Sequence, residues 1–302
     1  MKIQVHNYQQ KASRLIQALQ SNGVQLVSEY ANILLIDFDG PVANYPAIIQ
    51  NAYEQGAEIV LYSHGAPVIT AWDGIWKPGP LTKLYLAQSE GQKRVMESYK
   101  YPKPIKVIGW HYCDQKEFQP CADVKNILFA PEHPHSTGYM LAEARVLNKK
   151  VYHDLIDLPF NITVRYINLL FMNGLDERSG VKYQRADMTL EGSINAIDEA
   201  DLIVTYPGTF ASLAIARGKP VVMYGQNICP HDGYSDATLR YVHHWEDYQG
   251  FMRYHYDISD TTGSITESII RRASMNEETM WRDKFIGEQM KADTLMDALK
   301  GL

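Results

Sequence analysis

The stretch that decides the fold runs from Ala200 to Gln226 and reads ADLIVTYPGTFASLAIARGKPVVMYGQ. Its short apolar run, Leu202 to Val204, predicts a strand buried on both faces of a parallel sheet. Thr209 to Ala216 carries apolar residues at helical spacing, and Gly218 is expected to end that helix as a C-cap. Val221 to Tyr224 predicts the next strand. A right-handed crossover of this kind places the start of the helix at the carboxyl edge of the sheet.

The start of this predicted helix suits an anionic ligand. Backbone N–H groups of a first helical turn lack partners within the helix, and the helix dipole is positive there. Thr209 and Ser212 add hydroxyl groups to the same turn, and Gly208 lets a ligand approach the backbone closely. The residues leave one alternative open, which is that Thr209 only caps the helix.

Composition narrows the class of protein. The chain has 302 residues and 45% hydrophobic content, which fits two α/β domains of ordinary size. No apolar run reaches the ~18 residues of a membrane span and no signal peptide is recognisable, so we expect a cytoplasmic protein. The three cysteines form no CxxC pair, which argues against a disulfide framework or a zinc site. A net charge of -6 argues against non-specific nucleic-acid binding.

Strands and helices alternate along the first half of the chain, which predicts a doubly wound parallel sheet. The strongest strand lies within Asn32 to Gly40, and Glu58 to Tyr62 is the next. A polar segment without periodicity, His111 to Asp123, is the expected domain boundary. We therefore predict one Rossmann-like domain over residues 1–122 and a second over 123–302, with a final helix at about 277–302 packing back on the first.

The loop that follows the strand Glu58 to Tyr62 is a candidate catalytic element, Ser63-His64-Gly65. A histidine at the carboxyl end of a parallel strand lies where such sheets bind ligands. Imidazole titrates near neutral pH, so His64 is able to take a proton from an acceptor hydroxyl. The alternative is that His64 only hydrogen-bonds the backbone of its own loop.

Three segments resemble motifs of one superfamily. Gly218-Lys219-Pro220-Val221-Val222-Met223-Tyr224, the Ser63-His64-Gly65 loop and Ile127-Leu128-Phe129-Ala130-Pro131 are similar to segments of GT-B glycosyltransferases, most closely of the CDP-glycerol glycerophosphotransferase and capsule polysaccharide branch. The resemblance implies an α/β fold of two Rossmann-like domains facing a cleft, a nucleotide-diphosphate donor on the second domain, and His64 as the general base. The chain departs from the branch at Tyr206-Pro207-Gly208-Thr209, where consecutive serines are usual, and at Tyr166-Ile167-Asn168, where a histidine is usual.

The expected ligand contacts fall into two groups. Those expected at the donor are Arg165, Tyr206, Pro207, Gly208, Thr209, Ser212, Tyr224, Gly225 and Gln226. Those expected in the cleft are Gly65, Glu132, His133, His135, Ser136, Thr137 and His231. Arg165 is suited to clamp a phosphate bidentately, and it is equally able to pair with a surface carboxylate. The imidazole and carboxylate groups of residues 132–135 lack the spacing of a metal site, so we predict no metal.

The resemblance therefore implies a metal-independent enzyme without a cofactor, which transfers a sugar or a similar activated group from a UDP-, CDP- or GDP-linked donor to an acceptor hydroxyl. The acceptor stays open, because a glycan, a polymer and a modified DNA base all fit. A second hypothesis is a Mg²⁺-dependent phosphatase, because Asp37-Phe38-Asp39-Gly40 resembles the first motif of haloacid-dehalogenase-type enzymes. A UDP-sugar 2-epimerase and a non-catalytic nucleotide-sugar-binding protein are further alternatives on the same fold.

Overall fold

The computed structural model describes residues 1–6, 13–37, 45–62, 80–98, 101–131, 142–167, 169–187, 189–205, 209–224, 264–275 and 286–302. The chain forms two compact units, which we call the first unit (Met1–Asp114 with Thr279–Leu302) and the second unit (Gln115–Glu278). Residues 115–122, predicted to close the first domain, are thus grouped with the second unit. Each unit contains a parallel sheet with helices, which confirms the predicted α/β fold class.

The first unit is built on a six-stranded parallel sheet in the order β2-β1-β3-β4-β5-β6. The central strand β3 is buried at all four positions, as expected where a parallel sheet is covered on both faces. Its elements are β1 (Lys2–Val5), α1 (Ser13–Ser21), β2 (Gln25–Leu26), β3 (Ile33–Ile36), α2 (Tyr45–Glu54), β4 (Glu58–Tyr62), β5 (Thr82–Ala87), α3 (Glu90–Ser98) and β6 (Ile105–Val107).

The final helix, α8, is shorter than the sequence predicts. It spans Ala292–Leu299, and residues 287–291 are not helical. Gly287 has a φ of +79°, and a Cβ there would overlap the Gln88 carbonyl, so the backbone turns at this point. The chain then runs beside Trp110, whose N–H donates to the Glu288 carbonyl at 2.7 Å. The apolar face of α8 lies in the core of the first unit and includes Leu295, Met296, Ala298 and Leu299.

The second unit is built on a five-stranded parallel sheet in the order β11-β10-β7-β8-β9. The strand-helix-strand unit predicted from the opening stretch is confirmed, and Gly218 follows its helix with a φ of +73°. The elements are β7 (Asn126–Ala130), α4 (Ala142–Ile156), β8 (Asn161–Tyr166), a 3₁₀ turn (Leu170–Asn173), β9 (Lys182–Arg185), α5 (Leu190–Glu199), β10 (Leu202–Thr205), α6 (Thr209–Ala216), β11 (Val221–Met223) and α7 (Glu267–Ser274).

Candidate functional site

The carboxyl edge of the second unit's sheet brings two predicted donor contacts together. Arg165 lies near the end of β8, and Thr209 is the first residue of α6, the helix that follows β10. The guanidinium carbon of Arg165 is 5.2 Å from the centre of the Phe210 ring, in the first turn of α6. The arginine therefore lies against the positive end of the helix dipole, which favours an anion.

Arg165 is a buried cation with little compensation. Only 7% of the residue is exposed. Its Nη2 donates to Ser193 Oγ at 3.1 Å and lies 3.8 Å from Asp187 Oδ1, on a carboxylate that is itself mostly exposed. Burial lowers the pKa of the Arg165 guanidinium, and the charge of Asp187 opposes that shift. The positive end of α6 adds to the electrostatic cost, so an anionic ligand at this point would be stabilised by both.

The start of α5 positions the partners of Arg165, and the sequence analysis did not single out either of them. Thr189 caps the helix, because its Oγ1 accepts from the Gly192 N–H at 2.9 Å. Asp187 Oδ1 accepts from the Thr189 N–H at 3.0 Å, while Ser193 Oγ donates to the Thr189 carbonyl at 2.9 Å. The Asp-Met-Thr spacing of a helix cap was the available signal for this turn.

The remaining described donor candidates differ in accessibility. Thr209 is half-buried, and Ser212 is buried one turn further along α6. Tyr224, by contrast, lies in the core: its side chain is fully buried beside Phe129, and its hydroxyl donates to Asn148 Oδ1 at 2.7 Å. Tyr224 itself was predicted to contact the donor, and its burial in the core does not fit that prediction. It instead supports the edge of the sheet from behind.

Most of the other predicted contacts lie outside the described residues. In the second unit these are Tyr206, Pro207, Gly208, Gly225, Gln226, His231, Glu132, His133, His135, Ser136 and Thr137. In the first unit they are His64, Gly65 and Asp39 of the phosphatase hypothesis. The structure describes the strands that these segments follow, namely β3, β4, β7, β10 and β11.

The carboxyl edge of the first unit's sheet holds a histidine that the sequence analysis missed. His6 follows β1, and its Nδ1 lies 3.6 Å from Oδ1 of Asp37, a buried carboxylate at the end of β3. The Tyr62 hydroxyl, at the end of β4, donates to the His6 carbonyl at 2.7 Å. The signal available in the sequence was a histidine directly after the first strand, and β1 lies beside β3 in the sheet.

The other end of α6 is held by protein groups. Arg217 Nε donates to Asp198 Oδ1 at 3.0 Å, and its Nη2 lies 2.5 Å from Oδ2 of the same carboxylate. Lys116 Nζ is 2.9 Å from Asp198 Oδ2. These two cations hold the pKa of Asp198 at about 2, well below its usual value, with the Arg217 hydrogen bond as the largest cause. Lys219 Nζ donates to the carbonyls of Asp198 and Ala200, at 3.1 and 2.8 Å.

Comparisons with known proteins bear on the fold. No family model matches the chain, and no curated protein matches its sequence. Among solved structures, MnaA of S. aureus in its co-structure with UDP is 12% identical, with a TM-score of 0.58, 98% of this chain covered and 94% of that one. The wall teichoic acid polymerase TagF is 12% identical, with a TM-score of 0.54 and coverage of 98% and 86%. These likenesses confirm the predicted GT-B type of fold.

The described residues contain neither a membrane-spanning helix nor a cluster of metal ligands. No helix in the described ranges combines the length and the apolar character needed to cross a bilayer. Within the same ranges, no three or more His, Cys, Asp or Glu side chains are grouped so that they could hold a metal ion.

Proposed function

We propose that this GT-B-fold chain transfers a sugar, or a similar activated group, from a nucleotide-diphosphate donor to an acceptor hydroxyl without a metal ion or other cofactor. The observation that carries the proposal is the buried guanidinium of Arg165 against the first turn of α6. A cation and a positive helix end placed together favour a diphosphate, and they supply the charge stabilisation that a metal gives in other transferases. UDP in the MnaA co-structure, on the same type of fold, supports this choice of ligand class.

In the proposed reaction the acceptor oxygen attacks the donor carbon bonded to the diphosphate, and the nucleoside diphosphate departs. Arg165, the amides at the start of α6 and the Thr209 and Ser212 hydroxyls would bind the departing phosphates. Gly208, which precedes α6 in the sequence, would allow their close approach because it has no side chain. Tyr224 would support the edge from the core, through its hydrogen bond to Asn148.

We assign removal of the acceptor's proton to His64, which follows β4 in the sequence of the first unit. A general base of this kind contributes about 10²- to 10⁴-fold to turnover. His64→Ala should therefore reduce turnover by about that factor and leave the dissociation constant of the nucleotide diphosphate within about twofold, because the donor phosphates are bound by the second unit. Single-turnover kinetics and calorimetric titration with the same diphosphate measure the two quantities.

His6→Gln is the matched comparison for His64→Ala. His6 follows β1 of the same sheet and lies beside Asp37. Loss of turnover in His6→Gln with normal turnover in His64→Ala would move the base to His6. Equal loss of nucleotide binding and turnover in His64→Ala would refute a role confined to the acceptor.

The first experiment measures melting temperature with UDP, CDP and GDP in the presence of a chelator. A rise with one of these nucleotides supports the proposal, and no rise with any of them contradicts it. Donor turnover without an acceptor would instead indicate an epimerase, and protection without turnover of any acceptor would indicate a binding protein. Mg²⁺-dependent phosphate release from an aryl phosphate, lost in Asp37→Asn, would favour the phosphatase.

A further inference from the structure

The second unit has a cavity beside α5, which extends from the first residues of β7 and β8 to Gln184, the residue paired with Arg165 in the register of β8 and β9. Its volume is about 350 Å³, within the range of small-molecule sites. The floor is formed by the first residues of β7, β8 and β9, and the wall by the last turn of α5 with Ala196 and Glu199. All of its lining belongs to the described part of the second unit.

The two faces of β8 and β9 differ in character at this cavity. Ile162 and Val164 of β8 point into the apolar cluster that also contains Leu147 and Val151 of α4. Side chains alternate along a strand, so Thr163 lies on the opposite face, and the register pairs it with Lys182. The face turned to the cavity is therefore polar where the face turned to α4 is apolar.

Four side chains around the cavity have unused hydrogen-bonding groups. Within the described residues, no hydrogen bond or ion pair is made by the side chains of Thr163, Lys182, Gln184 and Glu199. Together they offer a hydroxyl, an ammonium group, an amide and a carboxylate, which is a mixture of donors and acceptors with one charge of each sign.

The first residues of β7 and β8 add a preorganised amide to this set. Asn126 Nδ2 donates to Asp201 Oδ2 at 3.3 Å, and Asn161 Nδ2 donates to Asn126 Oδ1 at 3.2 Å. Asp201 Oδ2 also accepts from the Asn126 N–H at 2.8 Å, which holds these three side chains to the sheet. These hydrogen bonds therefore define the orientation of the Asn161 amide at the start of β8.

The chemistry of the lining selects among ligand classes. An apolar ligand would remove water from at least four polar groups without replacing their hydrogen bonds, which is unfavourable. An ion of either sign would be attracted by one of the two ionised side chains, Lys182 and Glu199, and repelled by the other. A neutral ligand that carries many hydroxyl groups satisfies the whole set, because each hydroxyl both donates and accepts.

We propose that this cavity, beside α5 in the second unit, is a second binding site for a neutral carbohydrate. It is distinct from the nucleotide site proposed at the carboxyl edge, and it does not depend on the reaction proposed there. Thr163 and Gln184 would hydrogen-bond sugar hydroxyls, Lys182 would donate, and Glu199 would accept.

The test is binding of a panel of neutral tetrasaccharides built from glucose, galactose, mannose or N-acetylglucosamine, measured by calorimetric titration of the full chain. At least one should bind with a Kd below about 1 mM. The double variant Lys182→Ala/Gln184→Ala should weaken it at least about tenfold. Arg185→Ala is the matched control on the same strand, because Arg185 does not line the cavity, and it should bind like the wild type.

A second variant tests the charge argument without removing a hydrogen-bonding side chain. Glu199→Gln should increase the affinity for a tetragalacturonate at least about fivefold, because it removes the carboxylate that repels an acid sugar. The proposal is overturned if no neutral tetrasaccharide binds, if the double variant binds as well as the wild type, or if tetragalacturonate binds the wild type as tightly as the neutral sugars. Protection by UDP, CDP or GDP is measured on the same samples, so a failure of the nucleotide proposal appears separately.

Discussion

The two ends of α6 are built differently. At its last turn the backbone closes a Schellman motif, with Gly218 N–H donating to the Ile215 carbonyl at 2.9 Å and Lys219 N–H to the Ala214 carbonyl at 3.0 Å. Arg217, directly after the last residue of α6, is buried and paired bidentately with Asp198. At the first turn the buried arginine is Arg165, whose nearest carboxylate is 3.8 Å away.

This difference separates a structural arginine from one that suits a ligand. Arg217 lies at the negative end of the helix dipole and has a carboxylate in hydrogen-bonding contact, so its charge is stabilised by the protein alone. Arg165 lies at the positive end, where the helix dipole disfavours a cation. A helix fixed at its last turn also holds its first turn in a defined place, which favours precise binding of phosphate.

The largest effect on stability is expected from a change at the last turn of α6. Gly218→Ala should lower the free energy of unfolding by about 4 kcal/mol, because φ is +73° and a Cβ there would overlap the Glu117 carbonyl. Urea unfolding measures the loss. Gly23→Ala is the control, since Gly23 has a φ of +71° with no atom within 4 Å of the added Cβ, and it should lose only about 1 kcal/mol. Equal losses would mean that contact with residues 115–119 does not hold this end.

Asp198→Asn should lower the free energy of unfolding by about 3 kcal/mol at pH 7, since it leaves the buried Arg217 without its counter-ion. The folded-state pKa of Asp198 is about 2, below its unfolded value near 3.8. The stabilisation is therefore fully present above about pH 4 and disappears as the pH falls towards about 2. Urea midpoints of both proteins should converge over that interval. A constant difference down to pH 2 would contradict the ion pair, and the exposed Asp297→Asn should show no difference at any pH.

At the first turn of α6, Arg165→Gln should weaken binding of the protecting nucleotide diphosphate about 30-fold. This factor corresponds to about 2 kcal/mol of charge-assisted hydrogen bonding. Its free energy of unfolding should change by less than about 1 kcal/mol, because the protein compensates this charge poorly. Arg217→Gln should give the opposite pattern, with lower stability and unchanged affinity in the folded fraction. If both variants lose the same stability and the same affinity, the two arginines are not distinguished by function.

The sequence predicted the strand-helix-strand unit around α6 better than it predicted the side-chain contacts that other elements make with this unit. The apolar strand Leu202–Thr205, the helical spacing after it and Gly218 are local features, so the strand-helix-strand unit and its C-cap could be recognised. The partners of Arg165 could not, because Ser193 and Phe210 are remote in the chain and meet it only through the order of strands in the sheet. The burial of Tyr224 depends in the same way on Asn148 from α4.

The first unit gives a parallel lesson about non-local structure. His6 and Asp37 become neighbours because β1 lies beside β3, a pairing that neither segment encodes alone. The predicted final helix included residues 287–291, whose apolar and polar pattern is compatible with a helix. Their non-helical backbone instead follows from Gly287 packed on the Gln88 carbonyl and from hydrogen bonds to Trp110.

The smallest effect is expected from removal of the Thr209 hydroxyl at the first turn of α6. Thr209→Val keeps the shape of the side chain and removes one neutral hydrogen-bonding group, so the nucleotide should bind about three- to tenfold more weakly. Thr266→Val is the matched control, because Thr266 Oγ1 caps α7 by accepting from the Ile269 N–H at 3.3 Å. It should cost about 1 kcal/mol of stability and leave nucleotide affinity unchanged. If Thr209→Val loses stability alone, as the control does, the hydroxyl serves the helix, and Arg165 with the backbone amides must account for the binding of phosphate.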